Sequence, residues 1–209
     1  MSTTYNPNNL VTKRGHTLPI TILTGQNLTL GSVLGKITKA LGTTVVGGSN
    51  TGNGVMSGEA LKSKSKIGNY VITCITEATN GGTFKVVDPD GIRLDDAVVG
   101  TVYANEFIGF SIADGTEDFD IGDVFTIPVV AGSGKYKLAN KDSVDGSQEE
   151  DLVILEEAND ASSADVVTAG IESGVVNENK LVFADGSDAD DFRSLLRARG
   201  IFVRASQQY

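Results

Sequence analysis

Between Val46 and Ala131 the chain reads as short apolar segments parted by turn residues: Tyr70–Ile75, Thr83–Val87, Val98–Tyr103, Phe107–Ile112 and Val124–Val130. Runs of this length with such punctuation form strands, and a series of them closes into a sandwich or barrel. The stretch is entered through Gly47, Gly48, Gly52 and Gly54 and left through Ala131-Gly132-Ser133-Gly134. With it lifted out, residues 20–45 and 132–209 read on as one domain. The expected organisation is a discontinuous β domain carrying an inserted small β-sandwich or barrel at 46–131, with residues 1–19 as a flexible N-terminal arm. The 25 glycines and the absence of Trp agree with a mainly β architecture.

Residues 1–19 are polar and broken by Pro7, Gly15 and Pro19, a pattern that suits an arm ordered on a partner. Leu18, Ile20 and Ile22 alternate with Thr17, Pro19 and Thr21, which is strand periodicity, and Pro19 points to an edge. Gly25 to Ile37 has glycine punctuation but no Gly-x₄-Gly-Lys-Ser/Thr register, so a phosphate loop is excluded. Asp88-Pro89-Asp90-Gly91 is a hairpin turn. Lys62, Lys64 and Lys66 alternate with serines and read as a solvent-facing strand edge.

Further on, Leu152–Leu155 is a fully apolar strand, and Glu156–Ala164 reads as a polar loop before a strand at Asp165–Ile171. One short C-terminal helix is expected. Ser187 or Asp188 would cap it, with Asp190 and Asp191 in its first turn and Arg197 and Arg199 in its last. Phe192, Leu195 and Leu196 would face the core, Gly200 would end the helix, and Ile201-Phe202-Val203 would close the chain as a strand.

Charge is uneven along the chain. Residues 1–45 hold Lys13, Arg14, Lys36 and Lys39 and no acid, a charge of +4, whereas 46–131 and 132–209 carry −7 each, for a total of −10. An acidic chain is a poor ligand for nucleic acid, since phosphate binding rests on Lys and Arg. The acid-free leading segment suits an acidic protein surface. No apolar run reaches a membrane span, and the N-terminus has no hydrophobic signal region.

The residues for catalysis are missing. His16 is the single histidine and Cys74 the single cysteine, so neither a nucleophile–base pair nor a zinc site can be assembled. Cys74, inside an apolar strand, reads as a packed core thiol. The acidic run Asp114–Asp123 does not follow a calcium loop, because Phe119 and Phe125 stand where its sixth and twelfth residues would be, and a solvated turn fits better. No catalytic, metal or cofactor site is expected.

Gly25-Gln26-Asn27 followed by Gly31-Ser32-Val33-Leu34-Gly35-Lys36-Ile37 resembles the opening of bacteriophage head decoration proteins, the lambda-type capsid-stabilising family. Asp145-Gly146-Ser147, Leu152-Val153-Ile154-Leu155, the Ala169–Val176 stretch and Leu195-Leu196-Arg197-Ala198-Arg199-Gly200-Ile201-Phe202-Val203 are similar to the rear of the same family. The resemblance spans residues 15–45 and 133–205. It departs from the family at Gln148-Glu149-Glu150, where a proline-containing strand entry is common, and the 46–131 insert is extra, resembling a β module found inside several phage structural proteins.

The resemblance implies a homotrimer on the outer surface of an expanded phage head, bound to the major capsid protein and located in the virion. Its contact would run through the N-terminal arm at Lys13, Arg14, His16, Thr17, Leu18, Pro19 and Ile20, with the insert projecting outward. A virion-surface β module for host-cell or carbohydrate attachment is the rival expectation.

Overall fold

The computed structural model describes residues 10–149 and 151–205. They form two compact units, one from the chain up to Thr38 together with Ser133 onward, the other from Lys39–Gly132. The first unit opens with β1 (Val11–Arg14), β2 (Thr17–Ile22), β3 (Gln26–Leu28) and β4 (Val33–Lys36). The second contains β5 (Lys39–Leu41), β6 (Val45–Val46), β7 (Val55–Leu61), β8 (Gly68–Ala78), β9 (Gly81–Val87), β10 (Ala97–Val98), β11 (Val102–Ala104), β12 (Ile108–Ala113) and β13 (Val124–Ala131). The first unit then resumes with β14 (Tyr136–Leu138), β15 (Leu152–Leu155), β16 (Asn159–Ala161), β17 (Val166–Ile171) and β18 (Gly174–Asn177), and finishes with α1 (Ala189–Ala198) and β19 (Ile201–Arg204). The fold is mainly β with one short C-terminal α-helix, as the sequence indicates, and no helix among the described residues is long and apolar enough to cross a membrane.

In the discontinuous unit β14, β2, β17, β15 and β4 close a barrel, in that order. A second sheet runs β1-β18-β19, and β16 pairs with β3. The barrel wall separates two cores. Ile20, Ile22, Leu34, Tyr136, Val153 and Leu155 fill one, whereas Val33, Leu152, Ile154 and Ile171 join Val176, Phe192, Leu196 and Ile201 in the other. Successive strand residues point to opposite faces, so a strand with a core on both sides must be apolar throughout. This is the reason for the unbroken Leu152-Val153-Ile154-Leu155, all buried.

α1 starts at Asp188, whose carboxylate accepts from Asp190 N (2.9 Å) and Asp191 N (3.2 Å), while the Asp191 carboxylate accepts from Asp188 N at 2.9 Å. This reciprocal box satisfies helix-end donors that would otherwise face solvent alone. Phe192 stacks on Phe183, with ring centroids 5.5 Å apart.

Two expectations fail in this unit. Residues 10–19 are not a loose arm, because β1 pairs antiparallel with β18 and β2 with β17, and Leu10 is 4% exposed. The local sequence is polar, but its order comes from backbone pairing to apolar strands far along the chain. Residues 1–9 of the expected arm lie outside the described residues. Glu156–Ala164 likewise is not all loop, since β16 pairs with β3 and buries Ala161.

In the contiguous unit one sheet runs β10-β9-β8-β13-β5, with β6 also on β13, and the other runs β11-β12-β7. Both supply one core, in which Phe84, Phe119 and Phe125 meet with centroids 5.1 to 6.0 Å apart. The glycines of its lead have a packing role. A Cβ on Gly52 or Gly54 would come within 2.4 Å of the Phe119 ring. Buried Asp123 ties the same lead down by accepting from Thr51 N and Gly52 N, both at 2.8 Å. β5 and β6 pair with β13, so the residues ahead of Val46 from Lys39 onward go with this unit.

Lys62–Lys66 is a turn and not the strand edge expected from its alternation. Ser65 Oγ accepts from Lys62 N (2.8 Å) and donates to Phe107 O (2.6 Å), while Lys66 Nζ reaches Asp88 and Asp90 at 2.6 Å each. Ser65 bonds inward to the backbone within a turn, so the two-residue period there does not come from a pleat.

Asp88 organises the neighbouring turn, its carboxylate 1% exposed and accepting from Asp90 N (3.0 Å) and Ile92 N (2.8 Å). Burial works against its charge, but the bonds from Lys66, Ile92 and Asp90 outweigh that and hold its pKa below the usual carboxylate value. A depressed carboxylate pKa contributes stability above the unfolded value of about 3.9 that is lost as pH falls through the folded value. Asp88→Ala should cost the contiguous unit about 2 kcal/mol at pH 7, from the orphaned turn donors. Its penalty should shrink towards pH 2 in urea titrations; an equal penalty at both pH values would refute the carboxylate's role. Cys74 is 1% exposed, and burial pushes its thiol pKa up. A thiol reagent should label it only in denaturant, and rapid labelling of the native chain would show that the strand is not packed as described.

Candidate functional site

The seven residues singled out from the sequence lie on β1, β2 and the corner between them. β1 is an edge strand of its sheet, paired on one side with β18. Its Lys13 and Arg14 side chains are exposed. Arg14 forms an ion pair with Glu156, whereas Lys13 has no carboxylate partner among the described residues. Thr12 Oγ1 donates to Val175 O at 3.1 Å and fastens the strand from its side chain as well.

The corner is built by close approach. A Cβ on Gly15 would meet both Ser173 O and Ser173 Oγ at 2.5 Å, so only glycine lets β1 turn into β2 against that loop. His16 N donates to Ser173 Oγ (2.8 Å), and Glu172 N donates to His16 O (3.0 Å). These bonds leave the exposed imidazole of His16 projecting from a fixed backbone.

β2 then divides the remaining candidates between two faces. Thr17 and Pro19 are exposed, Leu18 is half-buried and Ile20 is 2% exposed in the barrel core. Pro19 pairs with Ala169 of β17, and β14 meets β2 only at Ile22, so the missing N–H of Pro19 costs no ladder bond. The structure thus groups Lys13, Arg14, His16, Thr17 and Pro19 at the surface and withdraws Ile20 from it. The outward partners across the ladder, Val167 and Ala169, were not marked in the sequence. The absence of charge along the whole of Val166–Ile171 is the signal that would have found them.

Around the far end of the barrel, Asp151 accepts from Arg199 (3.0 Å) and pairs with Lys36 (3.5 Å), and Arg199 also approaches Glu172 at 3.9 Å. Tyr136 lies beside this network, and burial first, then the Asp151 charge, pushes its phenol pKa up. Thr38, Gly146, Glu149 and Asp151 line an open recess of about 420 Å³. It is a polar hollow beside the ion pairs of Asp151 with Arg199 and Lys36. Asp145 is held below the usual carboxylate range. Burial opposes the charge, but bonds from Lys137 and Ser147 override it. Among the described residues no group of three or more His, Cys, Asp or Glu is placed to hold a metal ion.

A protein-family model described as bacteriophage lambda head decoration protein D matches residues 10–199, a range that runs across both units. No curated protein matches the chain. Among solved structures, two crystal forms of Xanthomonas campestris FlgL, in space groups H3 and C2, align at 18% identity. They cover 56% and 55% of this chain and 33% of the FlgL chain in each case, with a TM-score of 0.33 for both. The chain spans about a third of the FlgL length, and a likeness this shallow carries no argument about fold or role.

Gly15→Ala should destabilise the discontinuous unit by about 1–3 kcal/mol, because the added methyl meets backbone that cannot rotate away. A denaturation midpoint within error of the unsubstituted chain would show that the corner yields easily.

Proposed function

The chain belongs to the bacteriophage lambda head decoration protein D family, and on that basis we propose that it binds the outer surface of an expanded phage head as a homotrimer and cements the shell against internal pressure. The family is one of structural capsid proteins and not of enzymes. The family match over residues 10–199 carries the reading, and the surface chemistry supports it.

The partner in this reading is the major capsid protein. The acid-free leading segment is suited to an acidic surface on that shell, and Lys13 is its exposed cation without a partner among the described residues. β1 offers an edge to which a strand of the shell could add, so backbone bonds would supply affinity and Lys13 and Arg14 the charge match, with His16 exposed beside them. Three such contacts per trimer reinforce one another, because once the first has formed the others bind at high effective concentration. A ligand that recognises the expanded shell alone stabilises that state by linkage. The Lys39–Gly132 unit is an accessory to attachment in this reading, and its acidic character keeps particles apart.

The test is co-sedimentation of the full chain with cognate expanded heads that lack it, beside light scattering of the free protein. Saturable binding by a trimer is expected, and Lys13→Glu should weaken it about three- to tenfold at low salt, with the difference shrinking as salt rises. A monomer that ignores heads at every ionic strength would refute the proposal.

A further inference from the structure

The barrel wall of the discontinuous unit is covered along only part of its length. On β17 the outward residues are Val167, Ala169 and Ile171, and their partners on β2 are Thr21, Pro19 and Thr17. At Ile171 this face is completely buried, packed in the core that holds Phe192 and Leu196 of α1. Two residues along the same strand Ala169 is exposed, and two further Val167 is 73% exposed. The covered apolar wall therefore continues into a bare one.

The bare part holds Pro19, Thr21, Val167 and Ala169 and no charged residue, in a chain of net charge −10. Charge stands at its margins, where Asp165 pairs with Lys135 at 2.5 Å beyond Val166, Glu157 accepts from Thr168 Oγ1 at 3.4 Å between Val167 and Ala169, and Arg14 pairs with Glu156 ahead of Thr17. An outward sheet face that meets only water is ordinarily polar, and this one is aliphatic, proline and threonine.

We infer that this bare wall is the apolar centre of the shell-facing surface, docking against an uncharged patch of the capsid protein whose acidic flank meets Lys13. The inference rests on the decoration reading and extends it to residues that reading did not contain. Continuity and charge argue for that occupant. Thr17 and Pro19 continue the chain from the corner and the exposed Lys13 of β1 into the wall, so one partner surface reaches both. An uncharged centre with charges at its margin is the arrangement in which desolvation costs least and the rim sets register. Both strands are closed into a barrel, so the surface is rigid before binding and little ordering entropy is lost.

Val167→Glu tests this in the full chain, because a side chain 73% exposed can change without touching the core. Val102→Glu, at a residue 77% exposed in the other unit, serves as the control. Both variants and the unsubstituted chain would be titrated onto cognate expanded heads, with thermal melting and light scattering of each free protein. The expected result is a half-saturation concentration raised about tenfold or more by Val167→Glu and unchanged by Val102→Glu, with melting temperatures and oligomeric state unaltered. Equal binding by all three would overturn the inference and leave the decoration reading standing. A changed oligomeric state for Val167→Glu without heads would assign the wall to contact between copies and overturn the shell as its occupant. No binding by the unsubstituted chain would overturn both.

Discussion

A single four-residue strand with a core on each side holds the discontinuous unit together. Leu152 and Ile154 point to the helix, and Val153 and Leu155 point into the barrel. β4 repeats the arrangement with Val33 and Leu34, one to each core. The two strands pair directly, so the shared wall is made of residues that neither core can release without the other. A polar residue anywhere on that wall would be buried without a partner, which costs more than any surface interaction in the unit contributes. The helix, the small sheet and the barrel are in this sense one packing problem with one solution.

The leading segment looks strongly cationic when written out, yet folding neutralises much of it. Arg14 meets Glu156 and Lys36 meets Asp151, while Lys39 is buried with its ammonium on Ser65 O at 3.1 Å. What remains at the surface is a small set of groups at one corner. A charge difference of +4 against −7 in the sequence is therefore a guide to where a partner lies, and a poor guide to how strongly it is held.

The legible parts of the fold are those whose signal is local. The cap at Asp188 with Asp191 three residues on, the Asp88–Gly91 turn and the alternation of Leu18, Ile20 and Ile22 each state their geometry within a few residues. The illegible parts depend on distant partners. β1 is polar and became a strand because β18 lies beside it, with His16 and Ser173 bonded across 157 positions. β16 is Asn159-Asp160-Ala161, whose only apolar member is the one that β3 helps to bury. Lys62–Lys66 misled in the opposite way, since the segment is a turn in which Ser65 bonds inward to the backbone. The bare wall shows the same limit at the candidate site. Thr17 and Pro19 were visible as one strand's outward residues, but Val167 and Ala169 join them only through the ladder.

The pairing of Lys39 with Ala131 has a kinetic meaning. During synthesis the first 38 residues emerge well before their partners on β15, β17 and β18, and at ribosomal speeds that interval is roughly ten to thirty seconds. Closing so long a gap by random search is slow. Residues 39–132 are contiguous and need nothing that follows them, so they can fold within the interval. Once they do, the β5–β13 ladder brings the two ends of that segment side by side, and a gap of more than ninety residues becomes an effective loop of a few. What looks like an interruption of the barrel's sequence thereby serves as a tether that brings its halves together.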